Sequence, residues 1–159
     1  MRTLSMILGA LAVSALAAPA TAQISTNGAP EVSVLRPSAN TLVYHASPDG
    51  HFIVSATANG APLRFLVDTG ATLVVLTPSD ARAAGIDPRT LVFDKTVRTA
   101  NGTVPAAATV LREVRVGGIS IGGVSAAVVA KSQQSVLGMS FLSQLKSFEL
   151  QHDRLMLSQ

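Results

Sequence analysis

Alternating apolar and polar positions over residues 51–67 predict a β-hairpin. In residues 51–58, Phe52, Val54 and Ala56 alternate with Ile53, Ser55 and Thr57, as in a half-buried strand. Asn59-Gly60 follows as a two-residue turn whose positions both tolerate positive φ. Residues 62–67 are therefore predicted to fold back on the first strand.

A short helix is predicted after the apolar run 73–76. Thr77 suits the N-cap, Pro78 the first helical position, and Gly85 the left-handed position that ends a helix. Because the segment is short and rich in alanine, we expect it to lie on the surface.

The rest of the pattern predicts more strands and a second helix. Regular structure is expected to begin near Leu42, and β-branched runs broken by Gly, Asn and Pro predict eight or nine strands in all. Within residues 139–146, Phe141, Leu142 and Leu145 share one helical face. The later predicted strands cover residues 91–99, 103–116, 119–121, 124–130, 148–150 and 155–157. The predicted fold class is mainly β, with one or two short helices.

The first 22 residues have the layout of a secretory signal peptide. Arg2 precedes an apolar stretch, and Ala20 and Ala22 supply small residues for cleavage after Ala22. The alternative is an uncleaved membrane anchor, although a stretch of about fifteen residues is shorter than the roughly 20 that span a bilayer. Residues 23–41 then read as a polar leader or linker and residues 42–159 as one domain. Both readings export the chain, and the periplasm is the expected location.

Composition argues against several classes of function. The chain has 12 Lys and Arg against 9 Asp and Glu, and its basic residues do not cluster as a nucleic-acid site requires. Cysteine is absent, which excludes disulfides and thiolate metal sites. The three histidines, His45, His51 and His152, lack metal-ligand spacing. We therefore expect no metal, no cofactor and no nucleic-acid partner.

The candidate chemistry lies in Asp68-Thr69-Gly70, between the apolar runs 65–67 and 73–76. In an aspartic dyad, one ionised carboxylate takes a proton from water while its protonated twin polarises the scissile carbonyl. An acid at the end of a buried strand is held rigidly, and a glycine two residues on lets backbone N–H groups approach it. The chain carries only one such motif.

The sequence around this motif resembles the retropepsin-like aspartic proteases over residues 44–157. Three elements carry the resemblance: residues 65–72 around the motif, the Asn101-Gly102 hairpin signal, and residues 136–138, a pair of apolar residues plus glycine followed by a short helix. The resemblance implies a closed, barrel-like acid protease domain without cofactors.

Residue roles follow from the resemblance. It makes Asp68 the catalytic carboxylate, Thr69 the residue that bonds across to a partner loop, and Gly70 part of the cradle around the carboxylate. The implied substrate-binding residues are Ala71 in the catalytic loop and the tip of a flap over the substrate, formed by Ala100, Asn101 and Gly102. Ala71 stands where pepsin-like enzymes carry a hydroxyl residue, so we expect a less acidic working pH than pepsin's.

A single motif per chain implies a homodimer in which two Asp68 carboxylates form the dyad and a peptide or protein is the substrate. The other aspartates lie in turns, helix starts and polar stretches. Residues 148–158 and the polar leader are the expected dimer edges. Two alternatives stay open. The fold could serve as a catalytically silent peptide-binding or interaction module, or an unrelated β-barrel could carry the tripeptide by chance.

Overall fold

The computed structural model describes residues 41–99 and 102–159, and these fold mainly into β-strands. The mainly β fold class, with two short helices, is confirmed. In chain order the elements are β1 (Thr41–His45), β2 (Ile53–Ala58), β3 (Ala61–Val67), β4 (Val74–Leu76), α1 (Pro78–Ala83), a 3-10 turn (Pro88–Thr90), β5 (Lys95–Thr99), β6 (Gly102–Val116), β7 (Ile119–Val129), β8 (Ser135–Leu137), α2 (Met139–Leu142), β9 (Ser147–Gln151) and β10 (Arg154–Ser158).

Six strands close into a barrel. Their order is β2-β3-β8-β4-β7-β6, and β6 returns to β2 through the pairs Thr57–Arg115 and Ala58–Val114. We call this short β2–β6 pairing the barrel seam. β5 pairs with the N-terminal part of β6 beyond the barrel, and β1, β10 and β9 form a separate three-stranded sheet. The expected closed barrel is confirmed.

The first hairpin has the predicted register and faces. β2 and β3 pair from Ile53–Leu66 to Ala58–Ala61, which leaves Asn59 and Gly60 as the turn. Val54 and Phe65 are fully buried, whereas Ile53 is 37% exposed. The period of two therefore separates a core-facing side from an outer side of this hairpin.

Asn59 holds the seam together from the hairpin turn. Its backbone takes φ of 52°, a left-handed conformation that asparagine tolerates better than most residues. The backbone N–H donates to Glu113 O at 2.9 Å, and side-chain Oδ1 accepts from the N–H of Arg112 at 2.8 Å. Nδ2 donates to Ala84 O at 3.0 Å, just after α1. One side chain thus joins the turn, β6 and α1.

Helix α1 begins and ends as predicted but is not a surface element throughout. Thr77 Oγ1 accepts from the N–H of Asp80, Pro78 is the first helical residue, and Gly85 takes φ of 77°. Ala81 and Ala84 are buried in the core. The predicted surface location is wrong for this face, because alanine lets the helix approach the barrel closely.

Two strand boundaries differ from the prediction. The predicted strand 91–99 begins only at Lys95. A 3-10 turn capped by Asp87 ends at Thr90, and residues 91–94 after it are irregular. The predicted strands 119–121 and 124–130 are one strand, β7. Its register with β6 is unchanged on both sides of Gly123, which absorbs the local distortion with φ of 65°.

The C-terminal elements follow the predicted pattern, with a shorter helix. α2 is a single turn, Met139–Leu142, but Phe141, Leu142 and Leu145 are all buried as their spacing predicted. The closing hairpin, β9 and β10, turns at His152 and Asp153. Among the residues described, no helix is long and apolar enough to cross a membrane.

Asn59→Ala is expected to lower the free energy of unfolding by about 2 kcal/mol or more, because it removes the side-chain bonds to Arg112 and Ala84 and strains a left-handed residue. Urea denaturation measures the loss. Asn59→Gly is the matched control for backbone strain, and we expect it to lose about 1–2 kcal/mol. Wild-type stability in Asn59→Gly would show that the side chain does not hold the seam.

Candidate active site

Asp68 lies at the end of β3, where its own turn fixes its carboxylate. The N–H of Asp68 donates to Leu137 O at 3.2 Å, which continues the β3–β8 pairing by one residue. The N–H of Gly70 donates to Asp68 Oδ1 at 2.8 Å, and the N–H of Ala71 donates to Asp68 O at 3.2 Å. The N–H of Gly70 therefore orients the carboxylate, the other two bonds fix the backbone of Asp68, and the side chain stays exposed.

Gly138 lies directly beneath the loop that carries Asp68. A methyl group built on Gly138 would overlap the carbonyl oxygen of Leu73 and lie 2.6 Å from that of Ala71. The next two residues bond to the same loop: Met139 N donates to Ala71 O at 2.7 Å and Ser140 N to Thr72 O at 2.9 Å. Only glycine lets the two segments come this close.

Ser140 fixes the far side of the loop. Its Oγ accepts from the N–H of Val74 at 2.9 Å and donates to Ser125 O at 2.7 Å. A single hydroxyl thus joins α2, the start of β4 and β7. This contact was not anticipated, because Ser140 has no neighbours in sequence that mark it as a tether.

The strand that leads to Gly138 is also anchored at its start. Ser135 is fully buried, its Oγ accepts from the N–H of Thr77 at 3.1 Å, and its hydroxyl donates to the Asp80 carboxylate. Since β8 is only three residues long, this anchor and Gly138 fix both of its ends.

A row of four apolar side chains crosses the sheet beside Asp68. Ile53 pairs with Leu66, Leu66 with Val136, and Val136 with Val75, so all four occupy one level on the outer face of β2, β3, β8 and β4. Leu66, Val136 and Val75 are half-buried, and Ile53 is partly exposed. We call these four residues the apolar row. Asp68 follows Leu66 by two positions and therefore extends from the same face.

The other predicted site residues are only partly described. Thr69 is exposed, and its side chain forms no hydrogen bond within the described part of the chain. Ala71 is half-buried and contributes its backbone to the loop. Gly102 begins β6 with φ of 107° and pairs with Thr99. Ala100 and Asn101, the other two flap candidates, lie outside the described residues.

The remaining described aspartates have local partners. Arg89 bonds Asp87 and lowers the pKa of that carboxyl, while Asp94 pairs with Lys95 and Asp153 with Arg154. Ser47 and His51 bond Asp49, so its pKa falls to about 2. Residues 41–99 and 102–159 contain no group of three or more His, Asp or Glu side chains that could hold a metal ion. Among the aspartates of residues 41–99 and 102–159, Asp68 is therefore the one whose carboxylate is exposed and held by the backbone of its own turn alone.

Residues 54–144 match the model of a family described as gag-polyprotein putative aspartyl protease. An uncharacterized protein from the cobV 5′ region of Sinorhizobium sp. is 45% identical over 111 residues, which are 69% of this chain and 48% of that protein. A second uncharacterized protein, from Rickettsia prowazekii, is 36% identical over 118 residues, 74% of this chain and 51% of the other. The chain thus spans about half the length of these curated relatives.

Two solved structures have the same fold. A retropepsin-like aspartic protease from Rickettsia conorii superposes with a TM-score of 0.68 and 35% identity, covering 76% of this chain and all of that one. The EIAV protease in complex with the inhibitor HBY-793 has a TM-score of 0.55 and 21% identity, covering 66% of this chain and 97% of that chain. The second match concerns the fold alone.

Gly138→Ala is expected to destabilise the protein by more than about 4 kcal/mol, because the added methyl meets backbone carbonyls that cannot rotate away. Gly118→Ala is the matched control, since a methyl there would meet nothing within 4 Å, and we expect a change within about 0.5 kcal/mol. Thermal and urea unfolding compare the two. Equal stability of the two variants would contradict the packing described for Gly138.

Proposed function

The chain belongs to the retropepsin-like aspartic protease family, and from that premise we propose that it is an aspartic endopeptidase acting as a homodimer. The observation that carries the proposal is the Asp68 loop, in which one exposed carboxylate is oriented by Gly70 N and underlain by Gly138. This is half of the machinery that peptide hydrolysis by an aspartic dyad needs.

The second carboxylate is proposed to be Asp68 of another copy of the chain. A two-fold axis brings identical groups face to face, and two carboxylates about 3 Å apart share one proton because both cannot ionise together. The ionised member takes a proton from water, which attacks the scissile carbonyl, while the protonated member donates to the carbonyl oxygen. The pair titrates as a unit, so a bell-shaped pH–rate profile is expected.

The exposed side chain of Thr69 supports this arrangement, since its hydroxyl is available for a contact with the opposite loop. The three-stranded sheet provides the proposed dimer edge. β1 and β9 are its outer strands, and Val43 and Leu150 on them are 45% and 57% exposed. Large apolar side chains on sheet edges favour association.

The apolar row supports a peptide as the substrate. It forms a half-exposed surface next to the carboxylate, and such a surface suits an apolar side chain adjoining the scissile bond. The signal-like pattern of residues 1–22 favours a periplasmic site of action. A periplasmic or other exported protein would be the natural substrate in that setting.

Asp68→Asn is expected to abolish cleavage of a peptide library that the wild-type protein cleaves in a pepstatin-sensitive manner, without a change in unfolding. Asp87→Asn is the matched control, because asparagine can still accept the bond from Arg89 N, and its activity should equal that of wild type. Mass spectrometry of the library reports the cleavage sites. Cleavage that survives in Asp68→Asn would refute the assignment.

The shared dyad also predicts how mixed subunits behave. With a ninefold excess of the Asp68→Asn subunit, activity per wild-type subunit should fall about tenfold, because random pairing leaves few wild-type pairs. Sedimentation should give twice the mass of one chain. A strict monomer that is inactive at every pH from about 3 to 7 would favour the silent peptide-binding module.

A further inference from the structure

The loop between β1 and β2 holds a second cluster of polar groups, formed by Ser47, Asp49 and His51. Ser47 Oγ lies 2.7 Å from Asp49 Oδ1 and 2.6 Å from the carbonyl oxygen of His51. The N–H of His51 also donates to Asp49 Oδ1, and His51 Nδ1 lies 3.0 Å from Asp49 Oδ2. We call residues 47–51 the histidine loop.

The backbone makes the histidine loop rigid. Gly50 takes φ of 81°, its N–H donates to Ser47 O at 2.8 Å, and the N–H of Ser47 donates to His51 O at 2.8 Å. The preceding residue is tied to the closing hairpin, because Ala46 N donates to Asp153 O at 2.9 Å. A rigid loop that holds an exposed carboxylate and an exposed imidazole in a fixed geometry is suited to binding a substrate side chain.

Strand register brings this loop to the candidate site. β2 and β3 pair up to Ile53–Leu66, and the N–H of Val67 donates to Phe52 O at 2.9 Å. One further step along the same register sets His51 opposite Asp68. Positions directly opposite in antiparallel strands lie on the same face, so His51 extends from the face that carries Asp68 and the apolar row.

The imidazole is oriented so that one nitrogen remains available. The Asp49 carboxylate holds the proton on Nδ1, which turns Nε2 outward. Within the described ranges no hydrogen bond involves Nε2, and the His51 side chain is 57% exposed. When the ring is protonated, Nε2 presents a charged N–H donor, for which a carboxylate is the strongest complement.

The cluster stays intact in acid. Hydrogen bonds from Ser47 and His51 lower the pKa of Asp49 from 3.8 to about 2. A depressed pKa means that the contribution of ionised Asp49 is fully present above pH 3.8 and is lost only as the pH falls through about 2. In the acidic range where aspartic dyads work, the ionised Asp49 carboxylate therefore still holds the ring in place.

Other charged groups surround the loop. Asp68, which follows β3, lies opposite His51 when the β2–β3 register is extended beyond Phe52 and Val67. The closing hairpin contributes Asp153 and Arg154, and β1 contributes His45, which pairs with Arg154. Arg154 lies 3.7 Å from Asp153, which partly neutralises both. Asp68 is needed for the proposed chemistry. Nε2 of His51 has no hydrogen-bond partner within the described ranges, so this nitrogen is available to a substrate carboxylate.

We propose that His51 is a specificity-determining residue, which donates from Nε2 to a Glu or Asp side chain of the substrate within three residues of the scissile bond. This inference rests on the proposed proteolytic function. Asp49 and Ser47 are positioning residues that act through the imidazole. The preferred substrate then has an apolar residue for the apolar row and an acidic residue next to it.

The test uses matched peptides built around a sequence that the wild-type protein cleaves. Glu or Gln is placed at each position within three residues of the scissile bond, and kcat/KM is measured at about pH 5. At one position the wild-type protein should cleave the Glu peptide about three- to fivefold faster, the size expected for an exposed charged pair. His51→Gln should bring this ratio close to one.

Three variants distinguish a specific contact between His51 and the substrate from a general effect of positive charge on the protein. His51→Lys keeps a cation and should retain a preference for Glu. Asp49→Asn frees the imidazole and should reduce the ratio chiefly through KM. Arg82→Gln removes one positive charge from α1, at the opposite end of the β2–β3 hairpin, and should leave both the ratio and the activity unchanged. An equal ratio in wild type and His51→Gln would overturn the proposal.

Binding to Asp68→Asn distinguishes this inference from the proposed function. Calorimetry with the same peptides should show tighter binding of the Glu peptide to Asp68→Asn, and this difference should vanish when His51→Gln is added. If no peptide is cleaved but the Glu preference in binding persists, endopeptidase activity is refuted and the role of His51 stands. If peptides are cleaved with no Glu preference in rate or binding, only the role of His51 is refuted.

Discussion

The close approach of Gly138 to the Asp68 loop is the constraint on which the site depends. The loop must turn sharply after a buried strand, and its carbonyls at Ala71 and Leu73 would have no room above any side chain larger than hydrogen. Met139 and Ser140 then use their N–H groups to satisfy the loop carbonyls. The carboxylate is therefore positioned by backbone geometry, with little contribution from its own side-chain neighbours.

This constraint extends to the rest of the barrel. Gly138 can lie under the loop only if β8 runs between β3 and β4, and β8 is held there by Ser135 at one end. The parallel pairing with β3 and the antiparallel pairing with β4 hold β8 within the barrel, which Asn59 completes at the seam. Local rigidity at Asp68 thus arises from contacts between segments that are far apart in sequence.

Local signals made much of the fold predictable from sequence. The turn at Asn59, the cap at Thr77 and the buried face of α2 depend on residues a few positions apart, and the structure has them as expected. The strand 91–99 was predicted four residues too long at its start, because the irregular path of residues 91–94 has no local signal. The predicted break at Gly122 and Gly123 is absent, because the β6–β7 pairing continues on both sides of the two glycines. The apolar row was missed since its members come from four strands whose register no local pattern encodes. His51 was set aside as a scattered histidine for the same reason.

The bonds of Asn59 also bear on the chemical lifetime of the protein. Asparagine followed by glycine is prone to deamidation, because the glycine nitrogen can attack the side-chain carbonyl when the turn is free to move. Here Oδ1 accepts from Arg112 N and Nδ2 donates to Ala84 O, so the attack geometry requires that the seam open first. The hydrogen bonds by which Asn59 closes the barrel thereby also protect Asn59 from deamidation.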